Sequence, residues 1–302
     1  MKVCFVYSNR SENSILSPFI EYFRRKSSTT TIDLSTKIKN IEDNRNLSDI
    51  YSRCYNIFSS QKYDYVCVLG DRKELPFVSL AAFYSNTKLV HLAAGEYIES
   101  RTTYDQYVRP IVSILSDYQI CLSNKAKKKV MKLFAGISYL QPNAYNFGNP
   151  VFRGINLKKL KKPFTETYDL VLLHPQSLSR YETQQDIKQL EKYLKNKKTV
   201  FIQGNKDKNF DLIEKFYQNL KSLKRDHVFV DSLTKSNYFS MIRYCDNFFT
   251  NSSGISEIEY LNKHCLIKIG KRNKNRIKME FNEKAPELLF RLMKGHKKKN
   301  KQ

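Results

Sequence analysis

Short apolar runs that end at glycine and a carboxylate constrain the fold of this chain more than any other feature. The run at residues 66–69 is followed by glycine and Asp71. The run at residues 89–92 is followed by Ala-Ala-Gly and Glu96. Uninterrupted apolar runs bounded by glycine are typical of strands buried in a parallel sheet, and ligands of such sheets bind beyond the carboxyl ends of the strands. Asp71 and Glu96 are therefore candidate active-site carboxylates, and helix capping is an equally good interpretation of each alone.

The same alternation of strand, loop and helix covers most of the 302 residues. Strands are predicted at 2–7, 30–34, 65–69, 88–92, 118–122, 169–173, 199–202, 227–229, 247–250 and 265–269. Helices are predicted from about Ile15 after a polar loop at 8–14, and at about 47–58, 74–84, 105–116, 124–134, 180–195, 209–222, 235–244, 254–262 and 283–293. This order predicts two doubly wound parallel-sheet domains whose strand ends face one cleft, an arrangement suited to a nucleotide ligand.

The division between the domains is predicted in a lysine-rich connection. We expect a first Rossmann-like domain at residues 1–152, a second at 167–280, and a C-terminal helix with a basic tail at 281–302. Hydrophobic residues make up 41% of the chain, enough for real cores.

Several classes of protein are disfavoured by composition. No apolar run approaches the roughly 20 residues that span a bilayer, so we expect no integral membrane segment. The first apolar run is too short for a signal peptide and is predicted to be a strand. Six cysteines form no CxxC or CxxH pattern, which favours buried thiols of a cytoplasmic protein and no metal site.

The net charge of +24 is the unusual property of the composition. Such a field attracts nucleic acid, an acidic membrane surface or an anionic small molecule. The basic residues are spread along the chain, however, and no zinc-finger spacing, RNP-like aromatic signature or recognition helix accompanies them. We therefore interpret the lysines as solvated helix faces and do not expect nucleic-acid binding.

Further candidate residues follow other predicted strands. Arg10 lies between the first strand and the first helix, a natural place for an anion. Asp105 and Arg109 are four residues apart, so on a helix they share one face, although a surface ion pair is the better interpretation of that spacing alone. His174 follows the first predicted strand of the second domain, at a strand end that faces the expected cleft, where catalytic groups are expected.

The strongest single motif is Asn-Ser-Ser-Gly-Ile-Ser-Glu at 251–257, which follows a predicted strand and opens a helix. Small residues there let backbone N–H groups and hydroxyls approach a diphosphate, and a glutamate one helical turn later can accept hydrogen bonds from ribose. The candidate nucleotide-binding residues are Ser252, Ser253, Gly254 and Glu257.

Together these motifs resemble the UDP-N-acetylglucosamine 2-epimerase family, whose members have the two-domain GT-B architecture. The matching segments, in family order, are Ser-Asn-Arg-Ser-Glu at 8–12, Leu-Gly-Asp-Arg at 69–72, His-Leu-Ala-Ala-Gly-Glu at 91–96, Asp-Gln-Tyr-Val-Arg at 105–109, Gly-Asn-Pro at 148–150, Leu-His-Pro at 173–175, the 251–257 motif and Ile-Gly-Lys-Arg-Asn-Lys-Asn-Arg at 269–276. The pattern is closest to the hydrolysing branch. Ala93 departs from it, because that branch has histidine at this position and the non-hydrolysing branch has glutamate.

The resemblance implies inversion of the sugar C2 of UDP-N-acetylglucosamine, by elimination of UDP and re-addition. Proton exchange at carbon with inversion needs acid/base groups on both faces of the sugar. The expected acid/base and charge-stabilising set is Asp71, Glu96 and Asp105, with His174 and Arg10 supporting the departing diphosphate and Arg272 closing on the nucleotide. Arg109 is expected to bind substrate.

The hydrolysing outcome, N-acetylmannosamine and UDP, is the favoured expectation from this resemblance. A non-hydrolysing epimerase that produces UDP-N-acetylmannosamine, a GT-B glycosyltransferase and a degenerate UDP-sugar binder are the alternatives. The resemblance implies no cofactor and a homodimer.

Overall fold

The computed structural model describes residues 1–37, 46–96, 103–137, 139–194, 197–204, 206–223 and 226–299. These residues form two compact units. The first contains the described residues of Met1–Tyr97, Tyr104–Gly154 and Met279–Gln302, and the second contains those of Ile98–Thr103 and Ile155–Lys278.

The first unit is a parallel sheet with helices on both faces. Its described strands are β1 (Lys2–Tyr7), β2 (Ser28–Asp33), β3 (Tyr65–Leu69), β4 (Lys88–Leu92), β5 (Tyr118–Cys121) and β6 (Ala144–Asn146). Its described helices are α1 (Arg10–Arg24), α2 (Leu34–Lys37), α3 (Leu47–Gln61), α4 (Leu75–Tyr84), α5 (Asp105–Leu115) and α6 (Asn124–Phe134). Both faces of β3 are buried, which its continuous Tyr-Val-Cys-Val-Leu sequence requires.

The strand order of this sheet places two candidate segments side by side. The order is β2-β1-β3-β4-β5-β6, and all neighbouring strands run parallel. The chain adds β2 on one side of β1 and the remaining strands on the other. The point where the order reverses therefore lies between β1 and β3, and ligands of doubly wound sheets bind there.

The chain returns to the first unit at its C-terminus. Helix α11 (Ala285–Lys299) buries Leu289 and Met293 in the core that β1, β3 and α1 share. The Tyr65 hydroxyl of β3 donates to the Met293 carbonyl at 3.0 Å, and the Phe290 ring packs 5.2 Å from the ring of Phe23.

The second unit repeats the architecture with its own core. Its described strands are β7 (Asp169–Leu172), β8 (Thr199–Ile202), β9 (His227–Val230), β10 (Phe248–Thr250) and β11 (Leu266–Lys268). Its described helices are α7 (Arg180–Tyr193), α8 (Phe210–Ser222), α9 (Lys235–Tyr244) and α10 (Ile255–Leu261). The parallel order β11-β10-β7-β8-β9 puts the reversal between β7 and β10.

The predicted α/β class with two parallel sheets is confirmed, whereas some boundaries were wrong. Helix α1 begins at Arg10, not near Ile15, because the Asn9 side chain accepts from the Glu12 N–H at 2.8 Å and caps a polar first turn. Strand β6 was not predicted, since Ala-Tyr-Asn is short and partly polar. Helix α11 continues six residues beyond the predicted end at 293.

Two composition-based expectations can be compared with the structure. All six cysteines lie in the described part of the chain, and each is a buried free thiol. Across the described ranges, none of the helices combines the length and apolar character that a membrane crossing needs.

Candidate active site

In the first unit, an arginine and a carboxylate meet at the end of β3. Arg109 of α5 is only 4% exposed, and its Nη2 donates to Oδ2 of Asp71. Its Nη1 donates to the carbonyl of Ala93, which follows β4. Arg109 therefore fixes Asp71 against the ends of two neighbouring strands. Its burial rules out the surface position that its spacing from Asp105 suggested. Its described ion pair is with Asp71, 38 positions earlier in the chain.

A buried histidine of β4 joins the ends of the same two strands. The Nε2 atom of His91 in β4 lies 2.8 Å from the carbonyl of Gly70, the residue before Asp71. Its Nδ1 atom lies 2.9 Å from the hydroxyl of Ser113 in α5. Burial lowers the pKa of His91 to about 4, so the ring is neutral near pH 7, with Nε2 donating to the carbonyl and Nδ1 accepting from the hydroxyl.

Glu96 follows a tight turn whose shape depends on glycine. Ala93 and Gly95 both adopt positive φ, 59° and 77°. A side-chain carbon at Gly95 would overlap the carbonyl oxygen of Ala126 in α6, so only glycine fits there. The turn leaves Glu96 1% exposed at the edge of the sheet that carries Asp71.

A second buried carboxylate, that of Glu12, lies near the end of β1. Oε2 of Glu12 in α1 accepts from both the N–H and the hydroxyl of Ser8, at 2.7 and 2.9 Å. Burial and the negative charge of the fully buried Glu74 raise the pKa of Glu12 to about 7, and the positive charge of Arg72 opposes them. Arg72 Nε donates to Glu74 Oε1 at 2.7 Å.

Two predicted site residues begin helices of this unit. Arg10 is the first residue of α1 and Asp105 the first residue of α5. The structure describes their backbone but not their side chains, so their predicted contacts lie outside what it describes.

In the second unit, a network of amides and backbone groups joins the ends of β7 and β10. The Asn251 side chain accepts from the N–H of His174 at 2.7 Å and donates to the His174 carbonyl at 2.8 Å. Burial and the nearby Arg272 charge lower the pKa of His174 to about 3, while Asp207 opposes them. His174 is therefore a neutral imidazole near pH 7, able to donate one N–H but not to supply positive charge.

The turn after β10 presents small polar groups. The Ser252 hydroxyl accepts from the Gly254 N–H at 3.3 Å, and Ser253 is exposed at the tip of the turn. Glu257, buried in α10, directs its carboxylate toward Gly254 and Tyr238 of α9. Burial, followed by the Glu257 charge, raises the pKa of Tyr238, which keeps that hydroxyl protonated.

The loop after β11 hydrogen-bonds back to this turn. Arg272 Nη1 donates to the Asn251 carbonyl at 3.4 Å. The Asn273 side chain donates to the carbonyls of Asn251 and Ser252, both at 2.7 Å. The structure thus brings His174, the 252–257 turn and Arg272 together in one unit.

Sequence reasoning missed the residues that hold these groups in place. In the first unit they are His91, Ser113 and Glu12, and in the second Asn251 and Asn273. All of these residues except Ser113 lie inside the motifs quoted from the sequence, and that membership was the available signal. Among the described residues, no three histidine, cysteine, aspartate or glutamate side chains are grouped as they would be around a metal ion.

Comparisons with known sequences give consistent matches. A family model described as UDP-N-acetylglucosamine 2-epimerase matches residues 17–281. The polysialic acid biosynthesis protein P7 of Escherichia coli is 30% identical over 237 residues, which are 74% of this chain and 59% of that protein. The hydrolyzing GDP/UDP-N,N'-diacetylbacillosamine 2-epimerase of Campylobacter jejuni is 29% identical over 252 residues, 78% of this chain and 64% of that enzyme. The chain therefore spans less than two thirds of the length of either relative.

Solved structures match the fold over nearly the whole chain. The UDP-GlcNAc 2-epimerase of Methanocaldococcus jannaschii, in complex with UDP-GlcNAc and UDP, has a TM-score of 0.74 and 16% identity, covering 97% of this chain and 99% of that one. The Neisseria meningitidis enzyme bound to UDP-GlcNAc has a TM-score of 0.69 and 16% identity, with coverages of 97% and 92%. At this identity the likeness concerns the fold, and it agrees with the two-domain α/β architecture.

Proposed function

The chain belongs to the UDP-N-acetylglucosamine 2-epimerase family, and we propose that it inverts C2 of UDP-N-acetylglucosamine and releases N-acetylmannosamine and UDP. The observation that carries this proposal is the Asp71 carboxylate, fixed by the buried Arg109 at the carboxyl end of β3. Inversion at C2 needs an acid/base group held in one position, because proton transfer is efficient only at hydrogen-bond distance from the reacting carbon.

The proposed reaction has two steps. In the first, a base removes the C2 proton while the bond from C1 to UDP breaks, so that a C1=C2 double bond forms and UDP leaves. In the second, water adds to C1 and a proton is delivered to C2 from the opposite face. Positive charge builds at C1 as UDP leaves, and nearby carboxylates stabilise it. Asp71, Glu96 and Asp105 are the proposed acid/base and charge-stabilising groups.

The second unit is proposed to hold the nucleotide. Ser252, Ser253 and Gly254 offer hydroxyl and N–H groups to phosphate, and Glu257 is assigned to ribose. His174 and Arg272 are assigned to the diphosphate with Arg10, and because His174 is neutral, the positive charge there comes from the arginines. Arg109 is assigned to substrate binding through the position it gives Asp71, since both of its described donor contacts are to protein.

The hydrolysing outcome is supported by relatives and by the motif that ends at Glu96. The Campylobacter jejuni relative is a hydrolyzing 2-epimerase, and so is a Legionella pneumophila relative that is 34% identical over 77 residues, 26% of this chain and 20% of that enzyme. Because both are named for UDP-N,N'-diacetylbacillosamine, that sugar nucleotide is the second candidate substrate.

We also propose that the protein is a homodimer in the cytoplasm. Exposed apolar side chains lie on three helices that pack side by side, at Tyr55 on α3, Phe83 and Tyr84 on α4, and Tyr107 and Ile111 on α5. Helix α4 has no charged residue in a chain of net charge +24, so two copies can meet there without the repulsion expected elsewhere. The six free thiols support a reducing compartment.

Light scattering tests the dimer. The wild-type protein should have the mass of two chains, and Tyr84→Lys should have the mass of one, because a lysine would place a charge on the apolar face. Tyr139→Lys, at another exposed tyrosine, is the control and should stay dimeric. A monomeric wild type, or a dimeric Tyr84→Lys, would remove this surface from the proposal.

Product analysis by NMR tests the reaction. Purified protein is incubated with UDP-N-acetylglucosamine and, separately, with UDP-N,N'-diacetylbacillosamine. Free UDP and a free sugar inverted at C2 are expected from at least one of them. An intact inverted UDP-sugar would assign the non-hydrolysing branch. Turnover that appears only when an acceptor sugar is added would identify a glycosyltransferase and overturn the proposal.

A further inference from the structure

One buried carboxylate in the second unit belongs to no motif and has no role in the proposed reaction. Asp186 lies in the middle of α7 and is 2% exposed. Its Oδ2 atom accepts two hydrogen bonds, from Gln176 Nε2 at 2.9 Å and from Asn251 Nδ2 at 3.0 Å. Burying a carboxylate is costly, and burial raises the pKa of Asp186 although both donors oppose this rise. An aspartate here therefore needs a reason beyond filling space.

The Asn251 side chain extends this contact to the end of β7. The same Nδ2 that donates to Asp186 also donates to the His174 carbonyl, and Oδ1 accepts from the His174 N–H. These hydrogen bonds fix the backbone of His174 relative to the Asn251 amide, and Asp186 holds that amide in place. Gln176, two residues after His174, is fixed by the other donor contact.

The loop after β11 rests on the same carboxylate. Gly270 has φ of 63°, and a side-chain carbon there would overlap Oδ1 of Asp186. The Gly270 N–H donates to Gln189 Oε1, one turn further along α7, at 2.8 Å. Because Arg272 follows two residues later and donates to the Asn251 carbonyl, the position of its guanidinium depends on this support.

We propose that Asp186 is the positioning residue of the nucleotide-binding surface, holding the loops after β7, β10 and β11 in the arrangement that binds a nucleoside diphosphate. Each of the three loops carries a residue assigned above to the diphosphate or its turn: His174, Ser252 and Arg272. Asp186 does not touch the ligand and acts through Asn251 and Gly270. This inference rests on the proposed function, since it presumes that the surface binds UDP.

Calorimetric titration with UDP and steady-state kinetics test the proposal on the full chain. Asp186→Ala should raise the Kd for UDP and the KM for the UDP-sugar by about 10-fold or more, because small displacements of binding groups have large effects. The kcat should change much less, since the acid/base groups lie in the first unit. Asp186→Asn should give a smaller increase, because an amide oxygen can still accept from Asn251. Asp211→Asn in α8 is the matched control. Asp211 forms an exposed ion pair with Arg180, which lies on the same helix as Asp186, and the variant should bind UDP like the wild type.

The outcomes separate this inference from the proposed function. A wild type that does not bind UDP would overturn both. A wild type that binds UDP, together with folded Asp186 variants that bind it equally well, would overturn the positioning role alone. So would variants whose kcat falls while KM and Kd stay unchanged. If Asp186→Ala does not fold, Asp186→Asn and Gly270→Ala decide, because the added methyl group displaces the loop without removing the carboxylate.

Discussion

The two units have parallel sheets of the same kind but hold their candidate residues by different chemistry. The first unit uses charge, since the guanidinium of Arg109 fixes the Asp71 carboxylate and Arg72 pairs with Glu74. The second joins its strand ends through the neutral amides of Asn251 and Asn273, and its buried carboxylate, Asp186, accepts from amides where Asp71 accepts from a guanidinium. Ion pairs and carboxylates suit proton transfer, whereas amides and hydroxyls suit the recognition of a fixed ligand. We infer that the first unit performs the chemistry and the second holds the nucleotide.

The largest effect is expected for Asp71→Asn, which keeps the size of the side chain and removes its ability to exchange a proton. Turnover should fall by about 100-fold or more, the range that general acid/base groups contribute. Calorimetry should give a UDP affinity like that of the wild type, because the residues proposed to bind the nucleotide, apart from Arg10, lie in the other unit. Asp49→Asn on the exposed face of α3 is the control for turnover. Loss of UDP affinity in the Asp71 variant would contradict the assignment of nucleotide binding to the second unit.

The next effect concerns stability. Arg109→Met leaves the Asp71 carboxylate and the Ala93 carbonyl without their donor, so urea unfolding should show a loss of about 3 kcal/mol or more, as for other buried ion pairs. Combining Arg109→Met with Asp71→Asn should cost less than the sum of the two, since the orphaned charge is removed. In the second unit, Arg180→Met breaks only an exposed pair and should leave the unfolding midpoint unchanged. Additive effects of the Arg109 and Asp71 changes would show that their contact contributes no coupling.

A smaller effect depends on pH. The pKa of His91 is about 4 in the folded protein, below the ordinary histidine value, so the unfolded chain binds more protons between about pH 6.5 and 4. The free energy of unfolding should therefore fall as pH decreases through this window, and His91 should account for up to about 1.4 kcal/mol per pH unit. In His91→Gln that slope should decrease. His264→Gln, at an exposed histidine of the second unit, is the control. An unchanged slope in His91→Gln would mean that the buried ring is not held neutral.

The last effect is of similar size and has the opposite sign. The pKa of Glu12 is about 7 in the folded protein, above the ordinary glutamate value, so the folded state binds more protons between about pH 4.5 and 7. Glu12 should therefore reduce stability as pH increases through this window. The stability of Glu12→Gln relative to the wild type should increase between pH 5 and pH 8 in urea unfolding. Glu21→Gln, exposed on the same helix, should show no such trend.

Every described strand except β6 could be predicted from the sequence, because most buried parallel strands are continuous apolar runs. Most candidate residues were chosen because they directly follow those runs, and their roles stay predictions. The start of α1 could not, because its first turn is polar and is defined by the side chains of Asn9 and Glu12.

The hydrogen-bond partners of the candidate residues could not be predicted from local sequence patterns. Helical spacing relates Arg109 to Asp105, but the described contact of Arg109 is with Asp71, in a loop 38 residues earlier. Asp186 is 65 residues from Asn251 and looks like an ordinary polar position on a helix face. Long-range contacts of this kind depend on which strands become neighbours, and that order is a property of the folded sheet.

The most direct test of the account is the position of deuterium after turnover in deuterated water. Proton exchange at C2 during elimination and hydration predicts deuterium at C2 of the released sugar, at a rate that matches UDP release in the wild type and falls with turnover in Asp71→Asn. Released sugar that carries no deuterium at C2, or equal labelling by the Asp71→Asn protein, would contradict the assignment of proton chemistry to the first unit.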